Sequence, residues 1–225
     1  ATVDIPHGFA AVANFFVPDS GPDYPEVVNV ANGNLYILAG DDGRLLVGPI
    51  PVPAGASGTN HGGPPNVADF DGDGRAEVAT AGSGCYAVFD VDCIADYSVS
   101  GRAAQPTSCD LPASDRCGNY ASMIGVLWNY KSQDFSSACT GSSVFDFDGD
   151  GIDEVLYNDE CFFRVFDGPS GDILMQRPNS SRTNSEYPLV VDVDGDRNSE
   201  VVLIANHDQI ARDCCRGLDA SVCTD

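Results

Sequence analysis

The sequence predicts an all-β fold, a β-propeller-like array of four-stranded antiparallel blades with about three and a half repeats. An acidic loop between two short apolar stretches occurs three times, beginning at Asp69, Asp146 and Asp192. A second segment, with the pattern of a hairpin around glycines, follows at a fixed offset, and no helical periodicity of useful length is present. The step from Asp146 to Asp192 is 46 residues. Four short strands in a unit of that length are typical of a propeller blade.

The third unit shows the elements in order. Strands are predicted at 143–146, 154–157, 162–166 and 172–176, with the acidic loop between the first two and a glycine turn between the last two. The first unit repeats this hairpin, because LYILAGDDGRLL lies at the same offset from Glu26 as FRVFDGPSGDIL does from Glu154. The first unit therefore has the same strand order, although its loop has lost the regular acidic spacing.

Residues 1–225 are treated as one repeat region, with units at about 11–60, 65–137, 142–182 and 187–225. The second unit is longer by a cysteine-containing insertion at about 92–122, after which GVLWNYK (125–131) supplies its fourth strand. The fourth unit ends after its second strand, and exposed sheet edges invite pairing. We expect the chain to be part of a longer protein, or other chains to complete the array. A third arrangement closes four blades by adding the N-terminal strand to the last one.

The charge of the chain restricts its partners. The formal net charge is −23, from 34 acidic and 11 basic residues, while 43% of the residues are hydrophobic. Such a surface repels phosphate backbones and anionic lipid, so we expect no nucleic-acid partner. No run of about 18 apolar residues occurs, so no membrane insertion is expected. Cations are the natural partners of this composition.

Nine cysteines are many for a cytosolic chain of this size, and none lies in a CxxC pattern. Their spread through loop-like sequence favours disulfides over a metal–thiolate site. The sequence therefore predicts a secreted, extracellular or cell-surface protein. The odd number leaves one free thiol or one bond to another chain.

The acidic loop of the third unit has the spacing of a cation site. Asp146, Asp148 and Asp150 occupy positions 1, 3 and 5, the carbonyl of Ile152 can join them from position 7, and Glu154 closes the loop from position 9. Several carboxylates with a backbone carbonyl are the oxygen ligands that Ca²⁺ prefers, whereas zinc or copper would require the His or Cys that these loops lack. Glycine at position 6 permits a left-handed turn. An acidic hairpin turn without metal is the alternative.

The pattern D-x-D-G-D-G-x-x-E between strands resembles the calcium loops of FG-GAP and VCBS-type repeats, found in integrin α-chain propellers and many secreted bacterial proteins. The resemblance covers about 11–208, apart from the insertion. It implies three Ca²⁺ sites, each with a backbone carbonyl from its fourth-named residue: Asp69, Asp71, Asp73, Arg75 and Glu77; Asp146, Asp148, Asp150, Ile152 and Glu154; Asp192, Asp194, Asp196, Asn198 and Glu200.

The third of these sites is expected to be the weakest. It places Arg197 where the pattern has glycine, and a left-handed conformation costs a non-glycine residue about 1–2 kcal/mol. The first unit lacks the ligand set and is expected to bind no calcium. Asp153 falls out of register and is expected to face solvent.

Two functions from different classes follow. The first is a non-catalytic extracellular calcium-binding module for adhesion, assembly or ligand binding, whose partners are other protein chains, further copies of itself or an extracellular glycan. The second is a fragment of a secreted carbohydrate-active enzyme, because some polysaccharide lyases have similar calcium-loop propellers. No GxSxG, HExxH, P-loop or GxGxxG pattern is present, so we expect no enzyme activity.

Overall fold

The computed structural model describes residues 7–16, 22–53, 62–91, 117, 125–134, 140–179, 181 and 186–205, and it is all-β over these ranges. The strands form three four-stranded antiparallel sheets and one two-stranded sheet, in chain order. The first sheet contains β1 (Phe9–Ala13), β2 (Glu26–Ala31), β3 (Asn34–Leu38) and β4 (Leu45–Pro51). The second contains β5 (Asn66–Ala68), β6 (Glu77–Gly82), β7 (Cys85–Phe89) and β8 (Val126–Lys131).

The third sheet contains β9 (Ser142–Phe145), β10 (Glu154–Asn158), β11 (Phe162–Phe166) and β12 (Ile173–Pro178), and the fourth contains β13 (Leu189–Val191) and β14 (Glu200–Val202). Within each sheet every strand pairs with the next strand in the chain. The acidic loops therefore join the first and second strands of the second, third and fourth sheets. The strand predictions for the third unit are confirmed to within two residues at each end.

The four sheets pack face to face in chain order. One core cluster joins the first and second sheets, a second joins the second and third, and a third joins the third and fourth. In β6, Val78 faces the first of these clusters and Ala79 the second, because successive side chains of a strand point to opposite faces. The inner strands β6, β7, β10 and β11 are consequently buried at every residue.

The first strands of successive sheets lie side by side, with β1 beside β5, β5 beside β9 and β9 beside β13. Trp128 on β8 adds a link between the second and third sheets, since its indole Nε1 donates to the carbonyl of Gly168 at 2.6 Å. Gly171 lies against the same indole ring, which leaves no room for a side chain there. This contact fixes the glycine turn of the third unit against its neighbour.

The N-terminal strand and the cysteine-containing insertion were the subjects of two further predictions. The described N-terminal strand, β1, pairs with β2 in the first sheet and does not join the fourth, which contains only β13 and β14 among the described residues. The predicted insertion lies outside the described residues except for Cys117, which forms a disulfide with Cys85 on β7. Cys161 is also disulfide-bonded. In the described part of the chain, no helix has the length and apolar character needed to cross a membrane.

Candidate metal centres

The three acidic loops share one hydrogen-bond network. The first aspartate of each loop accepts two backbone N–H bonds, through Oδ1 from the fourth residue at 2.6–2.7 Å and through Oδ2 from the sixth at 2.9 Å. The third and fifth residues, also aspartates, each accept from the N–H two residues further on, at 2.7–3.1 Å. These bonds curl nine residues into a cup and bring the alternate carboxylates to one side.

The curl requires a left-handed backbone at two positions of each loop. The sixth residue has φ of 86° at Gly74, 89° at Gly151 and 75° at Arg197. The expected left-handed conformation of Arg197 is thus confirmed, at a cost of about 1–2 kcal/mol relative to an ordinary conformation. The fourth residue, always glycine, also has positive φ, between 78° and 81°. The left-handed backbone at the fourth position was not predicted from the sequence.

The first loop brings all of its predicted acidic ligands together. Asp69, Asp71, Asp73 and Glu77 each place one carboxylate oxygen within 4.8 Å of the others. Two oxygens bound to one calcium ion at 2.3–2.6 Å can be at most about 5 Å apart, so a single ion can span this group. The donor set and its dimensions therefore fit Ca²⁺.

The second and third loops bring together three carboxylates each. Asp146, Asp148 and Asp150 form the second group, without Glu154. Asp192, Asp194 and Glu200 form the third, without Asp196.

Asp196 is held by its neighbour Asn198. The backbone N–H of Asn198 donates to Oδ1 at 2.7 Å, and its side-chain Nδ2 donates to Oδ2 at 2.9 Å. The backbone bond is the main reason that the pKa of Asp196 lies below its usual value. The side-chain amide of Asn198 therefore competes with an ion for Oδ2 of Asp196.

The three residues expected to supply carbonyl ligands lie at the seventh position of their loops. The backbone N–H of Arg75, Ile152 and Asn198 donates to the fifth-position aspartate in each case. Arg75 and Asn198 are exposed, whereas Ile152 is half-buried. Their carbonyl ligation stays a prediction.

The glutamate that begins the second strand of each unit has a role that sequence analysis missed. We call this residue the exit glutamate. In every described unit its Oε2 accepts the backbone N–H of the residue just after the loop's first position: Phe15 for Glu26, Phe70 for Glu77, Phe147 for Glu154 and Val193 for Glu200, at 2.6–2.9 Å. An apolar residue repeated at that second position was the available sequence signal. The exit glutamate thus ties the start of the loop to the second strand.

Burial and crowding perturb two of the exit glutamates, Glu77 and Glu154, when no ion is bound. Burial is the largest cause raising the pKa of Glu77 to about 9, with further contributions from Asp71, Asp90 and Asp69, opposed by the bond from Phe70 N–H. Burial also raises the pKa of Glu154, again with its loop aspartates contributing. Carboxylates held close together must bind protons or a cation, because their mutual repulsion is strong where water is excluded.

The first and second acidic loops are in contact, which corrects the expectation for Asp153. This residue does not face solvent freely but is half-buried, and its N–H donates to the carbonyl of Asp69 at 3.4 Å. Burial, then the charges of Asp146 and Asp69, raise its pKa. The side chain of Ile152 also packs closely against Gly72. The candidate metal sites of the first and second loops are therefore adjacent and in direct contact.

The described residues of the first unit's loop are held together in a different way. Glu26 accepts from the backbone N–H of both Phe15 and Phe16, at 2.9 and 3.2 Å. At the first position of the loop stands Asn14, whose Nδ2 donates to Asp23 at 2.7 Å. No acidic metal-binding group is found in the described residues of this unit. A side-chain hydrogen bond spans the loop where the other units have converging carboxylates.

No protein-family model and no curated protein matches the chain. Among solved structures, the chain is similar to the V. cholerae biofilm matrix protein Bap1, with 21% sequence identity and a TM-score of 0.40. The match covers 82% of this chain and 29% of that chain, so this chain spans less than a third of that protein's length.

Proposed function

We propose that this chain is a non-catalytic, extracellular calcium-binding repeat module of the FG-GAP/VCBS type, acting in adhesion, assembly or ligand binding. The observation that carries the proposal is the same loop, with the same hydrogen bonds and converging carboxylates, in three units. A solvated acidic turn would have no reason to repeat this geometry.

Calcium is the cation that the donor set favours. Each group consists only of carboxylates, without histidine or cysteine. Hard oxygen donors on a flexible loop suit Ca²⁺, which accepts 6–8 ligands, whereas Mg²⁺ requires near-ideal octahedral geometry. The bound ion would replace the proton on Glu77 and hold the first two strands of the unit at a fixed angle.

We also propose that the four sheets are blades of a propeller-like array. Sheets stacked face to face, with their first strands side by side, support this arrangement. The Cys85–Cys117 disulfide supports an oxidising compartment, and with it an extracellular location.

Calcium titration calorimetry with matched variants tests the proposal. The wild-type protein should bind about three ions, one for each acidic group. Asp71→Asn, Asp148→Asn and Asp194→Asn should each weaken one site, whereas Asp42→Asn, at an exposed turn outside the loops, should leave all three unchanged.

Thermal unfolding supplies an independent measurement. Calcium at 100 times its dissociation constant should stabilise the fold by about 2.7 kcal/mol per site, and EDTA should remove this gain. An unchanged Tm in EDTA, together with no calcium by elemental analysis, would refute the calcium proposal. Turnover of a polyuronide substrate would refute the non-catalytic role.

A further inference from the structure

The fourth sheet has an apolar face that nothing in the described part of the chain covers. We call it the stacking face: it consists of Leu189, Val191, Val193, Val202 and Ile204. Leu189 is 57% exposed and Val193 is 61% exposed. The opposite face of the same two strands is different, because Val190 and Val201 pack against the third sheet. One face of the fourth sheet thus packs against the third sheet, and the other face is exposed in the described structure.

Equivalent positions in the other sheets indicate what kind of surface packs on the stacking face. Val202 and Ile204 lie two and four residues after the exit glutamate. The same positions in the second sheet, Ala79 and Ala81, are fully buried against the third sheet. In the first sheet they are Val28 and Val30, fully buried against the second.

In the first and second sheets, the residue just after the loop's first position behaves in the same way. Phe15 is buried between the first and second sheets, and Phe70 is buried between the second and third. Their equivalent in the fourth sheet is the exposed Val193. In the third sheet the equivalent residue, Phe147, is 42% exposed, but Leu156 and Asn158, two and four residues after the exit glutamate, are buried. Those two positions are therefore buried in all three described sheets that have a described successor, and the stacking face has the composition of an interface with one further sheet.

The first sheet presents the complementary surface. Valine stands two residues before the loop in all four units, at Val12, Val67, Val144 and Val190, and directly after the exit glutamate, at Val27, Val78, Val155 and Val201. In the second, third and fourth sheets these valines pack against the preceding sheet. In the first sheet Val12 is 65% exposed and Val27 is half-buried. We call Val12, Val27 and Leu38, which align across β1, β2 and β3, the receiving face.

We propose that the stacking face of one molecule docks on the receiving face of a second copy, head to tail. The contact continues the interfaces already formed between successive sheets of one chain. The two described strands of the fourth sheet correspond to β1 and β2, which carry two of the three residues of the receiving face, Val12 and Val27. Such a heterologous contact joins copies into a ring if the rotation closes, and into a filament if it does not.

This docking rests on the proposed function at one point. The backbone N–H of Val193 is held by Glu200, itself a member of the third acidic group. Calcium at the third loop would therefore fix part of the stacking face, and EDTA should weaken association.

Light scattering and sedimentation in calcium test the docking. The wild-type protein should form species larger than a monomer. Leu189→Asp and Val12→Asp place a charge on the stacking and receiving faces, and each variant alone should be monomeric. Mixed in equal amounts, they should form a one-to-one dimer and nothing larger, because only one intact pair of faces remains.

The control is Leu174→Asp, the same change at a residue that is 60% exposed on β12 and outside both faces. It should associate like the wild type. All three changes lie at exposed positions, and calcium titration of each variant verifies that its fold is intact.

Other occupants of the stacking face give different results. If fourth sheets pair with each other, Val12→Asp will associate and the mixture will show no rescue. If residues 206–225 cover the face, the wild type will be monomeric and will associate only after their removal. Each of these results overturns the docking proposal. A calcium-loaded wild-type monomer overturns the docking alone, whereas a protein that binds no calcium overturns the proposed function.

Discussion

Replacing Glu77 by glutamine should have opposite effects on stability with and without calcium. Glu77 is 1% exposed, and its carboxylate contacts both the Phe70 N–H and the first acidic group. Without metal its pKa is about 9, against an ordinary 4.5. Because the folded-state pKa is raised, the stability that Glu77 contributes is fully present below pH 4.5 and is lost as the pH rises toward 9.

The magnitude at pH 7 follows from the proton that folding must bind. Each pH unit above the unfolded pKa costs about 1.4 kcal/mol, so protonating Glu77 at pH 7 costs about 3 kcal/mol. Glutamine is neutral without a proton and avoids this cost, but its NH₂ group adds a buried N–H donor beside Phe70, which costs about 1 kcal/mol if it lacks a well-placed acceptor. The metal-free variant should therefore be more stable than the metal-free wild type by about 2 kcal/mol. For a chain of this length that is a rise in Tm of about 4–8 °C.

Thermal unfolding in EDTA and in calcium, at pH 5 and pH 7, measures both effects. In EDTA at pH 7 the variant should melt above the wild type, and at pH 5 the difference should nearly vanish. In calcium the order should reverse, because the first site has lost a ligand. Glu26→Gln is the matched control, since Glu26 accepts the equivalent backbone N–H, from Phe15, and no acidic metal-binding group lies in the described residues of its unit. Calcium should stabilise that variant as much as the wild type. A variant that melts below the wild type in EDTA at pH 7 would refute the reasoning.

Three further predictions concern the third site, the disulfide and the core. Arg197→Gly, which relieves the left-handed strain, and Asn198→Ala, which releases Asp196, should both tighten calcium binding at the third loop; calorimetry showing weaker binding would contradict this. Removing the Cys85–Cys117 disulfide, which closes a separation of 32 residues, should cost about 3–4 kcal/mol in urea unfolding, and no change would count against a chain-entropy effect. Phe70→Ala should cost about 3–5 kcal/mol, and a loss below about 1 kcal/mol would mean that the sheets do not depend on this contact.

The strands and the curled acidic loops could be predicted from the sequence because each depends on residues that are close together in the chain. Apolar runs flanked by an acidic loop and a glycine turn specify strand, loop and hairpin within each unit, and carboxylates two residues apart converge once glycine lets the backbone turn. The stacking of the sheets could be anticipated only as a repeat, since it depends on which face each side chain takes. The buried inner strands reveal it through their lack of polar alternation.

The interactions that could not be predicted from the sequence involve partners that no residue pattern marks. The sequence predicts Glu77, Glu154 and Glu200 only as ligands, because the other partner of each is a backbone N–H, which carries no side-chain signal. The sequence predicts a carbonyl ligand from Asn198 but does not reveal that its side chain donates to Asp196. Asp153 was placed in solvent because its neighbour, Asp69, lies in a different unit and is brought close only by the packing of two loops.

The loop of the first unit shows that repeats of this kind can be present without the acidic pattern. It keeps the exit glutamate, Glu26, and the buried Phe15, while the bond between Asn14 and Asp23 takes the place of the acidic group. The sheet of a unit thus does not depend on converging carboxylates in the described part of its loop. A search for the acidic pattern alone finds three units in a chain whose described residues form four sheets. The exit glutamate and the apolar residue it holds would be the better marker for tracing such repeats across divergent sequences.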